Sequence, residues 1–213
     1  MRVERCFGFV DLCGFTSFAE RNGDERVVVV LAGMRTMLRE AAARRGVRIV
    51  KWLGDGAMLS STMPEAVIGL TVELSEVMAD RFPSLPIRAG LAAGPVIMFE
   101  GDDYIGYPVN VAARLCAQAS PRELLGTVEV AQSRPTWVGA ESAMAVPVRG
   151  LARDIATRKL YLRSADDDPI VDPVCGLRIS RAHAVGGDGG DLYCSEACAG
   201  AATERDLAGQ SAR

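Results

Sequence analysis

The sequence predicts an α/β sandwich in which an antiparallel-rich sheet is covered by helices on one face, followed by a small cysteine-containing module. Three observations predict it. Long stretches with helical spacing alternate with paired strand-like runs rather than with single strands, which favours an α+β sandwich over a doubly wound parallel sheet. Gly54-Asp55-Gly56 stands between two apolar runs and reads as a hairpin. Three acidic residues and a proline in SADDDPIV break the pattern at 164–171, and three of the six cysteines crowd behind that break.

Residues 5–12, RCFGFVDL, read as a buried strand. From Thr16 to about Arg45 the spacing is helical, with Leu31, Met34, Leu38 and Ala41 on one face and Gly46 as the stop. Arg44 and Arg45 complement the dipole of that helix end, and the basic set Arg35, Arg39, Arg44 and Arg45 reads as a solvated face. The hairpin spans 47–61. Residues 64–82 open on Pro64 and give a second long helix. Residues 85–103 alternate around glycines and read as two strands joined near Ala93-Gly94-Pro95. Gly106 and Pro108 then punctuate the approach to a third helix ending near Gln118. Residues 122–135 give a strand and a short polar segment, and 143–164 give two last strands turning near Gly150.

With 213 residues the chain holds one full-sized domain and a small appendage. The expected division is a domain over 1–163, a linker over 164–171, a module over 172–205 and a flexible tail over 206–213. A net charge of -3 gives no basis for nucleic acid or an anionic membrane as partner. The apolar run VVVVLAGM is too short to span a bilayer, and no signal peptide opens the chain. A cytoplasmic protein without membrane insertion is expected. Cys6, Cys13 and Cys116 lie next to apolar residues and are expected to be buried free thiols.

Two carboxylates, Asp11 and Asp55, each follow an apolar run and meet a glycine-rich turn. Neighbouring strands could bring them together, where they would repel unless a divalent cation lay between them. Hard cations of the magnesium type take such oxygen ligands and also bind phosphates. Asn110 and Arg114 are i, i+4 neighbours on the third helix and point the same way, an amide and a permanent cation set to meet an anion. Residue chemistry alone leaves metal-assisted phosphoryl transfer level with a reading of turns, caps and core.

The motifs FVDLCGFTSFAE, KWLGDGAM, GLAAGPV and DDYIGYPVNVAARL occur in this order. Together they resemble the catalytic domain of class III adenylate/guanylate cyclases over about residues 3–163. The resemblance implies a ferredoxin-like cyclase fold and a role for each residue. Asp11 and Asp55 match the aspartates that hold two Mg2+ or Mn2+ ions. Lys51 and Asp103 match the pair that reads the purine, Asn110 the residue that orients the ribose, and Arg114 the residue that stabilises the charged transition state. Guanylate cyclases of this family typically carry Glu at the Lys51 position and Cys or similar at the Asp103 position, so ATP is the implied substrate. The alternatives are a guanylate cyclase and a non-catalytic nucleotide-binding module. The family builds its sites at a dimer interface, which implies a homodimer. It often adds a basic residue for the triphosphate, for which Arg149 and Arg153 are the candidates.

The tail has a resemblance of its own. DPVCGLRIS and LYCSEAC, within 172–198, are similar to the YHS domain, a small cysteine-containing module associated with metals. The version here is degenerate, with Leu177 where that family usually has Met and no aromatic residue after Cys198. Cys175, Cys194 and Cys198 suit Zn2+ or another soft metal, with His183, the chain's one histidine, as a further candidate ligand. Metal or redox control of the cyclase through this module is the expectation that follows.

Overall fold

The computed structural model describes the chain apart from residues 101–102, 149, 151–152, 164–168, 188–189 and 212–213, with side chains described as far as residue 205. In chain order the first domain comprises β1 (Arg2–Leu12), α1 (Phe15–Arg45), β2 (Arg48–Leu53), β3 (Gly56–Ser61), α2 (Pro64–Arg81), β4 (Ile87–Phe99), β5 (Asp103–Ile105) and α3 (Tyr107–Gln118). It continues with β6 (Leu124–Thr127), α4 (Val128–Gln132), β7 (Val138–Ala140), β8 (Met144–Val146) and β9 (Ile155–Leu162). These strands form one sheet in the order β2-β3-β1-β4-β6-β9-β7, with β5 on β4 and β8 on β9. Every pairing is antiparallel except β4 with β6.

Strand alternation sorts side chains between two cores. On β1, Cys6, Val10 and Leu12 face α1 and α2 and join Met34, Leu38, Ile68 and Leu74. Phe7 faces the other way, with Met58, Ala92 and the α3 residues Val111, Ala112 and Leu115. The helices are therefore not confined to one face, as the sequence reading had them. α3 covers the second face, to which Asp11 and Lys51 also turn.

The turn expected at 93–95 does not form. β4 runs straight through it, paired with β1 from Ile87 opposite Leu12 to Ile97 opposite Arg2. The Met98 N–H donates to Met1 O, which makes Glu4 opposite Pro95 a non-hydrogen-bonded pair with β1. The ring nitrogen of Pro95 thus faces the other edge, between the end of the β6 pairing at Leu91 and the start of the β5 pairing at Ile97. It removes no ladder bond, so the proline is tolerated in the middle of a long strand.

Behind this domain come β10 (Pro169–Val171), β11 (Arg178–Ser180), a 3-10 turn at Arg181–His183, β12 (Val185–Gly186), β13 (Leu192–Tyr193) and α5 (Glu196–Ser211). Of the expected linker, 164–168 lie outside the described residues and Pro169–Val171 pairs with β11. Ile170, Leu177, Ile179 and Tyr193 belong to the same buried cluster as α1 and α2. α2 is accordingly buried nearly all round over Val67–Ser75, pressed between the sheet and the C-terminal module. No helix among the described residues is long and apolar enough to cross a membrane.

Candidate functional site

Asp11 shares its strand face with Phe7 and so points away from α1 and α2. Arg88 lies directly opposite it on β4. The Arg88 Nη2 and Nε donate to Asp11 Oδ2 at 2.7 and 3.0 Å, and Nη1 donates to the Ala117 carbonyl at the end of α3. The β2–β3 turn is a two-residue loop of Gly54 and Asp55, since Leu53 pairs with Gly56. Gly54 supplies the left-handed conformation at φ 65. Gly56 answers a different need. A Cβ there would lie 2.5 Å from Val10 O and 3.2 Å from Asp11 Oδ1, so its absence lets the turn close against Asp11. Burial pushes the Asp55 carboxyl up, and the Asp11 charge adds to the rise. The two partly shielded carboxylates offer the oxygen donors that a hard divalent cation takes, with the Arg88 guanidinium now holding the cation's place on Asp11 Oδ2.

Lys51 reaches its position through a bulge. The β2–β3 register shifts between Ile49, which pairs with Leu59, and Lys51, which pairs with Met58. Strict alternation from Ile49 would aim Lys51 at α1. The extra residue, Val50, places both Val50 and Lys51 on the α3 face instead. There Lys51 Nζ donates to Asp103 Oδ2 at 2.9 Å across the solvent-exposed surface. The lysine bond, together with the Tyr104 N–H on Oδ1, holds the Asp103 carboxyl below its ordinary range.

α3 buries Pro108, Val111, Ala112, Leu115 and Cys116, a stripe at helical spacing. Its seat is Gly90 on β4, where a Cβ would lie 2.2 Å from both Ala112 O and Cys116 N. Asn110 and Arg114 occupy the opposite, exposed face. Neither has a side-chain partner among the described residues, so the helix is core-packed through its other residues and presents these two outward. Large apolar residues lie exposed at the start of α3 and on the β4–β5 hairpin before it: Tyr107, Ile105, Ile97 and Phe99, each between 46% and 59% exposed. Arg153 is exposed ahead of β9, and Arg149 lies outside the described residues.

The C-terminal cysteines converge. Cys175 Sγ lies 3.7 Å and Cys198 Sγ 3.6 Å from Cys194 Sγ. With a carboxylate oxygen of Asp172, the ligand atoms all lie within 4.8 Å of one another. All three cysteines are free thiols. Hydrogen bonds from Cys175 and Cys194 hold the Cys198 thiol below its ordinary range. Asp172 is fully buried and accepts the N–H groups of Val174, Cys175 and Cys194, which ties the two cysteine loops together. His183 is not in this group; it lines a separate surface cleft with Arg134, Arg163 and Thr136, and its buried Nδ1 has no hydrogen-bond partner among the described residues.

Sequence reasoning missed Asp172, although an Asp two and three residues before the N–H groups it accepts is a readable turn signal. It also missed Arg88, which only the strand register reveals. The solvated basic face is overturned for Arg44 and Arg45, while Arg39 stays exposed and Arg35 half-buried. Arg45 is 8% exposed and donates through Nε to Glu73 at 2.7 Å, through Nη2 to Cys194 Sγ at 3.2 Å, and stacks over Trp137. Arg44 pairs with the other Glu73 oxygen. Arg35 and Arg39 stack on Trp52. Arg44 and Arg45 are drawn in because α2 offers a carboxylate, the C-terminal module a thiol and the first domain the Trp137 ring where water was expected.

Comparison with known proteins places this geometry. No protein-family model matches the chain. A Mycobacterium tuberculosis protein of unknown function, Rv2212, is 35% identical over 130 residues, covering 61% of this chain and 34% of that protein. Adenylate cyclase 2 of Rhizobium meliloti is 30% identical over 196 residues, covering 81% of this chain and 54% of that protein. The chain thus spans about a third to a half of the length of these curated relatives. Among solved structures, the adenylyl cyclase CyaB of P. aeruginosa superposes with a TM-score of 0.68 at 23% identity, covering 79% of this chain and 98% of that one. The guanylyl cyclase Cya2 gives 0.67 at 18% identity, covering 78% and 96%. The first domain has the cyclase fold, and fold and relatives together support a class III adenylate/guanylate cyclase domain in this chain.

Proposed function

We propose that the chain is an adenylate cyclase that converts ATP to 3′,5′-cyclic AMP and pyrophosphate in a site shared by two copies of itself. One observation carries this reading. Asn110 and Arg114 stand exposed on α3 with no side-chain partner among the described residues, on the sheet face to which Asp11 and Lys51 also turn, and Lys51 brings Asp103 to it through their ion pair. Exposed Tyr107 on α3 and Ile97, Phe99 and Ile105 on the preceding β4–β5 hairpin offer the apolar surface a second copy would cover.

Asp11 and Asp55 would hold two Mg2+ or Mn2+ ions, which when bound lower the pKa of the ribose 3′-hydroxyl and offset triphosphate charge. The chain's own residues position the rest. Lys51 donates to a purine ring nitrogen and Asp103 accepts from the exocyclic amine, a match to adenine. Asn110 holds the ribose. Arg114 offsets charge on the phosphate oxygens as the 3′-oxygen bonds to the α-phosphorus and pyrophosphate leaves. Arg153 is the described candidate for the triphosphate. In the same reading, Cys175, Cys194 and Cys198 take a divalent ion of the zinc type that regulates the cyclase. Their sulfur spacings match the edges, about 3.8 Å, of a tetrahedron with metal–sulfur bonds of about 2.3 Å.

The test is purified protein supplied with ATP or GTP and with Mn2+ or Mg2+, and cyclic nucleotide measured. Cyclic AMP is expected. Cyclic GMP alone would reassign the substrate, and no product from either nucleotide with either metal would sink the enzyme reading.

A further inference from the structure

One helix touches both the thiol cluster and the turn that carries Asp55. At its C-terminal end, Arg45 of α1 donates to Cys194 Sγ and to Glu73 of α2. Ten residues earlier, Arg35 stacks on Trp52 and donates through Nη2 to the carbonyl of Gly54, the residue before Asp55. Arg39, one turn on, stacks on the same Trp52. The two contact points lie about 15 Å apart along a continuous helical segment. Gly23, the one break in α1, falls upstream of both.

Arg44 and Arg45 share the single carboxylate of Glu73, all three largely removed from water. Beyond Glu73, Arg45 donates to Cys194 Sγ, and the Asp172 carboxylate accepts the Cys194 N–H. An ion held by the three sulfurs would therefore fix the acceptor that Arg45 uses.

We propose that α1 is the coupling element of the protein: a divalent ion of the zinc type on Cys175, Cys194 and Cys198 anchors Arg45, and α1 passes the constraint through Arg35 to the Gly54-Asp55 turn. The inference rests on the reading of the thiols as a metal site. It makes Arg35 a positioning residue for Asp55, and it names the ion as a regulator acting from outside the nucleotide site.

The chain carries its own reporters. Trp52 and Trp137 are its two tryptophans, and they sit at the two ends of the coupled segment. The full chain is stripped of metal and titrated with Zn2+, with bound zinc measured by mass spectrometry. The turn is followed by hydrogen exchange of the 52–58 peptide, and in a Trp137→Phe chain by Trp52 emission. One equivalent of zinc is expected to bind and to slow exchange at the turn by about fivefold, the lower end of ordinary coupling between sites. Arg35→Gln should bind the equivalent without the response. Cys194→Ser/Cys198→Ser should lose both.

Zinc that binds while turn exchange and Trp52 emission stay unchanged would overturn the coupling and leave the metal site standing. Failure of the full chain to bind zinc would overturn both. A turn response that survives in the double serine chain would place the ion at Asp11 and Asp55 instead and overturn the proposal.

Discussion

Lys51 meets Asp103 at 2.9 Å because Val50 bulges out of β2 and turns the lysine onto the α3 face. The two side chains are about 45% exposed and retain free donor and acceptor capacity, a lysine with three protons and a carboxylate with four lone-pair sites. If they read adenine between them, Lys51→Glu/Asp103→Cys inverts both polarities. The kcat/KM for ATP is then expected to fall about 100-fold, the loss of two such contacts, while the GTP to ATP ratio rises. A competition assay with both nucleotides checks this. An unchanged ratio would remove these residues from substrate choice.

Gly90 sets where α3 sits, and α3 carries Asn110 and Arg114. Gly90→Ala forces a methyl into the helix backbone at 2.2 Å, so the helix must lift off β4. A destabilisation of about 1–3 kcal/mol is expected from such overpacking. The cyclase rate, measured well below the melting temperature, is expected to fall at least about tenfold, because misplacement by an ångström is costly at a reacting centre. A variant that melts early yet keeps its full rate would show that α3 finds its catalytic place without this seat.

Much of the first domain was legible because its signals are local. The spacing on α1 and α2, the Gly54-Asp55-Gly56 punctuation and the Gly106–Pro108 entry to α3 each depend on residues a few positions apart. What stayed hidden depends on register and on distant chain. Pro95 reads as a turn until the hydrogen-bonding side of its strand is known. Arg88 looks like any strand residue until β4 places it against Asp11. Arg44 and Arg45 look like solvated helix-end charges until a module more than a hundred residues later covers them. The positions that the cyclase resemblance names could be read from their order in the sequence, whereas the placing of Asp11 and Lys51 on the α3 face follows from strand parity and from a bulge with no sequence signal of its own.

Asp55 is a carboxylate held where ionisation is disfavoured, by burial first and then by Asp11. Its folded pKa therefore lies above its unfolded one. At acid pH, below both, the group is protonated in either state and has no linkage effect. As pH rises through the folded value, the penalty on the ionised form appears and stability falls. Asp55→Asn is expected to raise the melting temperature slightly at about pH 7, with the gain fading as pH drops to about 3. The side chain is partly exposed, so solvent screening keeps the effect small. The cyclase rate should collapse in the same variant. A stability gain of equal size at every pH would trace to packing instead of charge.

Glu73 is the single acid between two buried guanidiniums. Replacing it by Gln leaves Arg44 and Arg45 without a counter-charge, and a loss of about 3–5 kcal/mol is expected from breaking a buried pair on one side. Urea melts of the full chain measure it. Adding Arg45→Met to Glu73→Gln removes one orphaned charge and should recover part of the loss, because an apolar side chain of similar length fits against Trp137. No recovery in the double variant would mean that the Arg45 contact with Cys194 contributes more than its pairing with Glu73.

The shared-site reading makes a prediction that a self-contained site cannot meet. Asp11→Ala and Asn110→Ala each disable every site in their own homodimers, one by removing a metal ligand and the other by removing the ribose contact. In a mixed dimer the two lesions fall into one site and leave the other intact. With random assortment half of the dimers are mixed, each with one working site of two, so the mixture is expected to regain about a quarter of the unsubstituted rate. Mixing after mild dissociation, with cyclic AMP followed against the mixing ratio, gives the measurement, and the maximum should lie at equal amounts. If neither the mixture nor a co-expressed pair exceeds the separate proteins, Asp11 and Asn110 act within one copy, and the exposed apolar surface around Tyr107 needs another explanation.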